Sequence, residues 1–366
     1  MAGRYKVAAV SADSGSNVER AVPAATKLVV EDKVNAVVGI YSSNYAPAVV
    51  DRTESLGAVA WITSATDSAV FRNRNRKWTF RPQVDTEAFG VVSVRYLQAV
   101  AQSYLGRAPM ALRVAVISED NAFSQAIAEA NLAEAKRLGI PVVYTGAYGK
   151  TTALADFFGK LKLANPDVVL HAGYDPTPLW AQMRGHDIRV QAMLGQAMFQ
   201  TAKSIQDRGL ARELDGFHTT TGIDPAWLDL TKLTPAAAAT VRAAAAELLP
   251  KYPNGVPNFT WTAFNATWVL LNDVLPRAIA RHGGTTPAAI AAAARATDIP
   301  DGGTVQGYGV RFYPPEHELA GQNERAYTGL SQAINGEFTL VFPQSIARAL
   351  PKLPYSAGSP FARSTQ

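Results

Sequence analysis

Cysteine is absent from the 366-residue chain. That excludes a disulfide framework, a thiolate nucleophile and any cysteine-based zinc or iron–sulfur centre. Long hydrophobic runs are absent too. No stretch reaches the roughly 18 apolar residues that a membrane-spanning helix needs. The opening residues, Met1 to Lys6, are polar, and no basic region is followed by an apolar one. No signal peptide is therefore read, and by itself the opening points to the cytoplasm.

Catalytic signatures are missing as well. There is no Gly-x-Ser-x-Gly elbow, no Walker A loop and no Gly-x-Gly-x-x-Gly turn. The five histidines (His171, His186, His218, His282 and His317) are scattered without helical i, i+4 spacing. A metal centre needs several converging ligands. Each histidine therefore reads as structural or solvated, and no metal or cofactor is implied. No nucleophile–base pair is seen, so the chain does not read as an enzyme. Charge of one sign is not concentrated either. Lys plus Arg is 35 against 30 acids, a formal charge of +5. The one dense basic segment holds Arg72, Arg74, Arg76 and Lys77. It lacks an aromatic stacking platform or a recognition helix beside it. It reads as a solvated loop, and no nucleic-acid partner is expected.

What is present is core material. Hydrophobic residues make up 48% and charged residues 18%, enough for about two globular domains. Short β-branched runs alternate with Ala-rich helical segments. Strands are expected over 5–10, 35–39, 58–63 and 78–81, with helices over 18–31, 45–56 and 86–104. Gly106-Arg107-Ala108-Pro109 reads as a hinge or linker. The rhythm then restarts, with strands over 113–118, 142–148, 167–174, 191–194 and 216–222. Helices fall between them over 123–138, 153–163, 177–185 and 201–212. Continuous apolar strands separated by helices mean a parallel sheet covered on both faces. The fold class is thus α/β, with two doubly wound, Rossmann-like lobes and a cleft between them. Helices follow over 235–249, 259–281 and 287–296, and an extended turn segment over 302–313. A late strand is expected over 337–341, preceded by the hairpin dipeptide Asn335-Gly336.

Ligands of such sheets bind beyond the carboxyl ends of the strands. In the first lobe those ends carry Ser42, Ser43 and Asn44, then Thr63, Ser64, Ala65, Thr66, Asp67 and Ser68. Hydroxyls and backbone N–H groups at helix starts suit a carboxylate. Plain helix capping by the same residues is the alternative. In the second lobe the strand ends carry Asn121 and Phe123, Tyr174 and Asp175, and Gln196 and Ala197. Phe123 and Tyr174 could wall a small ligand, with the Tyr174 hydroxyl as a polar handle; packing of the lobe edge is the alternative.

Several segments together resemble the leucine/isoleucine/valine-binding proteins, type I periplasmic solute-binding proteins of ABC importers. They are Leu-Val-Val-Glu-Asp-Lys-Val-Asn-Ala-Val-Val-Gly at 28–39, Tyr-Ser-Ser at 41–43 and Trp-Ile-Thr-Ser-Ala-Thr at 61–66. To these are added Val-Ala-Val-Ile-Ser-Glu-Asp-Asn-Ala-Phe-Ser at 114–124, Asn-Pro-Asp-Val-Val-Leu-His-Ala-Gly-Tyr at 165–174 and Asn-Gly-Glu-Phe-Thr-Leu-Val-Phe-Pro at 335–343. The ordered series, not any one motif, carries the resemblance, and it covers nearly the whole chain. It implies a monomeric, periplasmic receptor that closes on a small-molecule solute without catalysis and delivers it to the membrane subunits of an ABC permease. It implies a carboxylate held by Ser42 or Ser43 and by Ser64, Ala65 and Thr66, with Phe123 and Tyr174 as second-lobe aromatics. It implies lobe 1 over 1–108, lobe 2 over 109–248, a return to lobe 1 over 249–325 and to lobe 2 over 326–366.

Two departures qualify that picture. The acid that pairs with the ammonium in amino-acid-binding members falls on Ala197, with Gln196 beside it. Burying an ammonium without an anion costs several kcal/mol. Asp175, Asp224 and Glu119 are the acids that could compensate. The solute is then a branched-chain or other amino acid, or an aromatic or aliphatic acid without the amine. The family also begins with a signal peptide and a further βα unit of roughly 30 residues, which the resemblance implies ahead of residue 4. A cytoplasmic ligand-sensing regulatory domain of the same fold is the alternative function; the basic segment fits it, and the missing DNA-binding helices oppose it.

Overall fold

The computed structural model describes residues 6–196, 207–252 and 256–363. The chain divides into two compact units. The first holds Met1–Asp85, Leu233–Val241 and Phe259–Tyr327; the second holds Thr86–Lys232, Arg242–Asn258 and Thr328–Gln366.

In the first unit the order is α1 (Val18–Val30), β1 (Ala36–Val38), α2 (Ala46–Ser55), β2 (Val59–Trp61) and β3 (Thr79–Phe80). The three strands form one parallel sheet in the order β1-β2-β3. Successive residues of β2 bury on opposite faces, as the period of a strand requires. Val59 and Trp61 join Phe80, Val274, Ile290 and Phe312. Ala60 and the following Ile62 join Val49, Val50 and Phe71. The Trp61 indole donates to the Ala266 carbonyl at 2.8 Å, so its polar edge is satisfied inside the core.

In the second unit α3 (Glu87–Leu105) precedes β4 (Val114–Glu119), α4 (Ala122–Leu138), β5 (Val142–Tyr148), α5 (Leu154–Ala164) and β6 (Val168–Ala172). Then come α6 (Thr177–Gly185), β7 (Ala192–Gln196), the short α7 (Ala211–Leu214) and β8 (His218–Thr221). Beyond it comes α8 (Pro235–Leu248), whose residues up to Val241 belong to the first unit and from Arg242 to the second. In the first unit's return segment lie α9 (Asn258–Val269), α10 (Leu275–His282) and α11 (Pro287–Arg295). The hairpin β9 (Gly329–Ile334) and β10 (Glu337–Phe342) completes the second unit's sheet, in the order β10-β9-β8-β7-β6-β4-β5. Strands β4 to β8 are parallel, and β9 and β10 are antiparallel additions. The sheet is therefore mixed rather than wholly parallel. Alternation again sorts the core: Ile117, Val169 and Met193 lie on one face, Val116, Leu170 and Leu194 on the other.

Several expectations are corrected. Residues 6–10 form no strand and lie exposed, Val7 and Val10 included. A β-branched run becomes a strand only against a neighbour that accepts its backbone bonds. Helix α3 belongs to the second unit, so the first change of unit comes at Asp85 and not near residue 108. A Cβ on Gly90 would lie 2.5 Å from the Ile127 carbonyl oxygen and 2.8 Å from the Ala130 Cβ, so α3 packs backbone-close on α4. Strand β9 goes unforeseen, although Asn335 and Gly336 both take positive φ (56° and 85°) and turn the hairpin as expected. The single helix expected over 259–281 is interrupted by a π turn over Leu270–Val274, next to Pro276, which has no N–H to continue the ladder. Arg76 is not solvated. It is buried, donating to the Val70 carbonyl and to Asp51 at 2.7 Å. The helix expected over 201–212 lies largely outside the described residues.

Two buried histidines give the second unit an acid-sensitive core. His218 meets the Tyr96 hydroxyl at 2.8 Å, and His171 meets the Tyr148 hydroxyl at 2.9 Å. Burial pushes each imidazole down to about 3 from the usual 6.5. The unfolded chain therefore binds protons first as pH falls below 6.5, and stability drops between there and about pH 3, by up to about 1.4 kcal/mol per pH unit for each ring. Urea unfolding of the second unit at pH 7 and pH 5 should show this loss. His171→Gln with His218→Gln should remove the histidines' share of it; an unchanged slope would assign it elsewhere.

Candidate functional site

The first unit's strand ends are stitched together by their own backbone. Gly39, at φ 94°, turns the chain out of β1. The Ile40 carbonyl then accepts from Ser64 N at 3.4 Å and Ala65 N at 3.1 Å, across the end of β2. Ser43 Oγ accepts from Asp67 N at 3.2 Å, a second tie between the same two loops. Ser42 turns the chain towards α2: its hydroxyl accepts from Asn44 N at 3.2 Å and its carbonyl from Ala46 N at 3.0 Å, where α2 begins. Ser64, Ala65 and Thr66 are all buried beside these ties.

Behind this loop lies a cation that sequence reasoning passes over. Arg81, just beyond β3, is 1% exposed. Its guanidinium donates to the Ala65 carbonyl at 3.2 Å, to the Asp67 carbonyl at 2.9 Å and to Gln322 Oε1. It also lies over the Phe71 ring, 4.8 Å from the centroid. Gln322 is itself fixed, donating to the Gln83 carbonyl at 2.6 Å. The Ala65 backbone is thus engaged at both its N–H and its carbonyl. Ser64 and Thr66 flank a peptide whose oxygen is held by a buried positive charge. The one available signal was an arginine ending an apolar strand and followed by proline.

The second unit presents the other candidates at the carboxyl edge of its parallel strands. Asn121 Oδ1 caps α4 by accepting from Ser124 N at 2.9 Å, which sets Phe123 in the helix's first turn. The Phe123 and Tyr174 rings stack, with centroids 5.3 Å apart and planes 18° from parallel. Phe89 meets Phe123 edge-on at 6.4 Å. Phe123 is half-buried and Tyr174 is 42% exposed. These two expected wall residues are therefore brought together. Gln196 is placed differently. Its amide is fully buried and pairs reciprocally with Asn131, which donates to Gln196 Oε1 and accepts from Gln196 Nε2 at 3.1 Å. Ala197 lies outside the described residues.

The three acids offered as compensating charges have separate roles. Glu119 Oε1 accepts from Tyr174 N at 3.0 Å and Asp175 N at 3.2 Å. Asp175 Oδ1 caps α6 through Thr177 N at 2.9 Å, and its other oxygen lies 3.5 Å from Arg208. Asp224, in the loop after β8, is buried and accepts from Ala226 N at 2.9 Å. Burial raises its carboxyl to about 6. Among the described residues no group of three or more His, Asp or Glu could hold a metal ion, and no helix is long and apolar enough to cross a membrane.

Residues 1–325 match the family described as Periplasmic binding protein. Among curated proteins, the Leu/Ile/Val-binding protein homolog 7 of Brucella abortus is 25% identical over 95% of this chain and 84% of its own length. Homolog 8 of the same organism is 25% identical over the same shares. Solved structures share the fold. A substrate-binding protein of an ABC transporter from Desulfitobacterium hafniense, in complex with Leu, gives a TM-score of 0.67 at 17% identity, covering 90% of this chain and 87% of that one. The substrate-binding protein LivJ of Streptococcus pneumoniae, in complex with isoleucine, gives 0.65 at 18% identity, covering 91% and 87%.

The raised carboxyl of Asp224 makes a stability prediction. An acid whose folded pKa rises from 3.8 to about 6 costs the native state roughly 3 kcal/mol once pH exceeds both values, and nothing below 3.8. Asp224→Asn keeps an oxygen for Ala226 N and removes the charge. It should stabilise the second unit by up to that amount at pH 7.5, with the gain fading by pH 4. A gain equal at both pH values, in denaturant titrations, would remove the ionisation argument.

Proposed function

Because the chain belongs to the periplasmic binding protein family, we propose that it is the solute-binding receptor of an ABC importer and that its solute is a small molecule bearing a carboxylate. The observation that carries this reading is the Arg81-backed loop of the first unit. The buried Arg81 guanidinium donates to the Ala65 and Asp67 carbonyls and holds the Ser64–Thr66 segment in place. Ser43, Ser64 and Thr66 add hydroxyls that bond a carboxylate oxygen directionally. A fixed loop of hydroxyl donors suits a carboxylate oxygen and buries no second charge beside it.

The second unit contributes the apolar half of the grip. The stacked Phe123 and Tyr174 rings take the solute's side chain, and the Tyr174 hydroxyl takes a polar edge. The two units close on the solute by hinge motion, and it leaves chemically unchanged. The receptor works as a monomer in the periplasm and hands its solute to the membrane subunits of a permease. Two structural neighbours are complexes with Leu and with isoleucine. That supports branched-chain amino acids as the first solutes to test, with their desamino acids beside them.

A thermal-shift screen over amino acids, aromatic acids and aliphatic acids tests the reading. A solute at 100 times its Kd should stabilise the protein by about 2.7 kcal/mol. Ser43→Ala and Thr66→Ala should each weaken a carboxylate solute by about 1–3 kcal/mol, the loss of a buried hydrogen-bond partner. Titration calorimetry showing unchanged affinity in both would remove the carboxylate site from this loop. Turnover of any bound solute would end the receptor reading.

A further inference from the structure

We propose that Glu119 is the positioning residue of the aromatic pair: its carboxylate fixes Tyr174 against Phe123 without itself touching the solute. This rests on the reading of that pair as the wall of the solute site.

The argument starts from where Glu119 stands. It is the last residue of β4, and β6 lies directly beside β4 in the sheet. The loop leaving β6 carries Tyr174 two residues beyond its end. Two successive N–H groups, of Tyr174 and Asp175, converge on the single oxygen Oε1 at 3.0 and 3.2 Å. A charged acceptor taking two adjacent backbone donors fixes the path of the chain at the residue whose ring stacks. The second oxygen lies 3.5 Å from Asn121 Nδ2. Asn121 in turn caps α4 through Ser124 N at 2.9 Å, and Phe123 sits between them. One carboxylate therefore reaches both loops that carry the wall.

The sequence leaves room for it. A Cβ at Gly173 would lie 2.6 Å from Glu119 Oε1, 2.7 Å from its Cδ and 2.7 Å from His171 Cε1. Gly173 is not among the positive-φ glycines. It is needed for space and not for conformation, and the space is shared by the Glu119 carboxylate and the His171 ring. The consequence is pre-organisation. Tyr174 is 42% exposed, yet its backbone is tied down from below, so less freedom is lost when a solute packs on it. The rival role, counter-charge to a solute ammonium, accounts for neither the two N–H bonds nor the absence of a side chain at residue 173.

The test uses the full chain, with L-leucine and 4-methylpentanoate as probes in titration calorimetry. Glu119→Ala should weaken both probes by about tenfold or more, because both lose the ordered wall. Glu119→Gln, whose amide oxygen can still accept both N–H groups, should restore most of that loss for both probes. Gly173→Ala, which crowds the carboxylate and keeps its charge, should weaken both as well, and stands in if Glu119→Ala does not fold. Full affinity in Glu119→Ala or Gly173→Ala would overturn the proposal. So would a loss confined to L-leucine in Glu119→Ala and Glu119→Gln alike, which would make Glu119 the ammonium's partner. If the wild-type chain binds neither probe nor any acid of the wider panel, the solute-site reading falls and the positioning role falls with it. Binding by the wild type without the variant pattern defeats the positioning role alone.

Discussion

A buried guanidinium must find acceptors or pay for its desolvation, and at Arg81 the acceptors are the carbonyls of the loop that leaves β2. The shape of the first unit's candidate site follows from that requirement. The carbonyls of Ala65 and Asp67 are drawn to the cation, and the N–H groups of Ser64 and Ala65 go to Ile40. With its backbone so occupied, the loop has hydroxyls as its adjustable groups. Gln322 and Gln83 close the ring by holding Arg81 and Ala65 from the far side. The return segment of the chain is thus part of the site's foundation. An arginine in this place supplies a rigidity that a lysine would not, since one ammonium cannot span acceptors on three residues in a fixed plane.

The second unit meets a comparable demand with the opposite sign. Its strand-end loops present backbone N–H groups, and the carboxylate of Glu119 collects two of them. In both units a charged side chain from a neighbouring strand end or its sequel orders a loop by bonding its backbone. The ordered loop then offers side chains of a different character: hydroxyls in the first unit, aromatic rings in the second. A charge spent on backbone groups in this way is satisfied without a solute. This is why Glu119 and Arg81 explain loop geometry more directly than they explain contact.

Much of this was legible from residue order, and the reasons for the misses are specific. Continuous apolar runs in 58–63, 113–118 and 167–174 mark strands because both faces of each sheet are buried, and the structure sorts those residues into opposite cores. Asn335-Gly336 marks a hairpin because both residues tolerate positive φ. Strand β9 was missed because Gly329, Ser331 and Gln332 give it a weak apolar pattern; its pairing with β8 and β10 makes it a strand. Residues 6–10 erred in the other direction, with a good pattern and no neighbour. The Phe123 and Tyr174 pairing could be guessed because both follow strands of one sheet. The engagement of Gln196 by Asn131 could not, since 65 residues separate them and only the packing of α4 on the sheet joins them.

That buried amide pair bears on the nature of the solute. Gln196 ends β7, where the resemblance places an acid in its immediate vicinity, and it is closed off by a reciprocal bond to Asn131. Breaking the pair to expose the amide would leave Asn131 Oδ1 without its donor in the core, a loss of about 1–3 kcal/mol, while Asn131 Nδ2 keeps the Ile127 carbonyl. Gln196 therefore acts as a lining that keeps β7 and α4 in register. The acids along the same edge are also committed in part: Glu119 to two N–H groups, Asp175 to the start of α6, Asp224 to Ala226 and to a buried setting that favours its neutral form. If this edge lines the solute site as proposed, it discriminates by shape and by the stacked rings more than by charge. A cationic group on a solute gains there only as much as it can draw from a carboxylate already in use. On the proposed reading, selection among carboxylates turns on what packs against Phe123 and Tyr174.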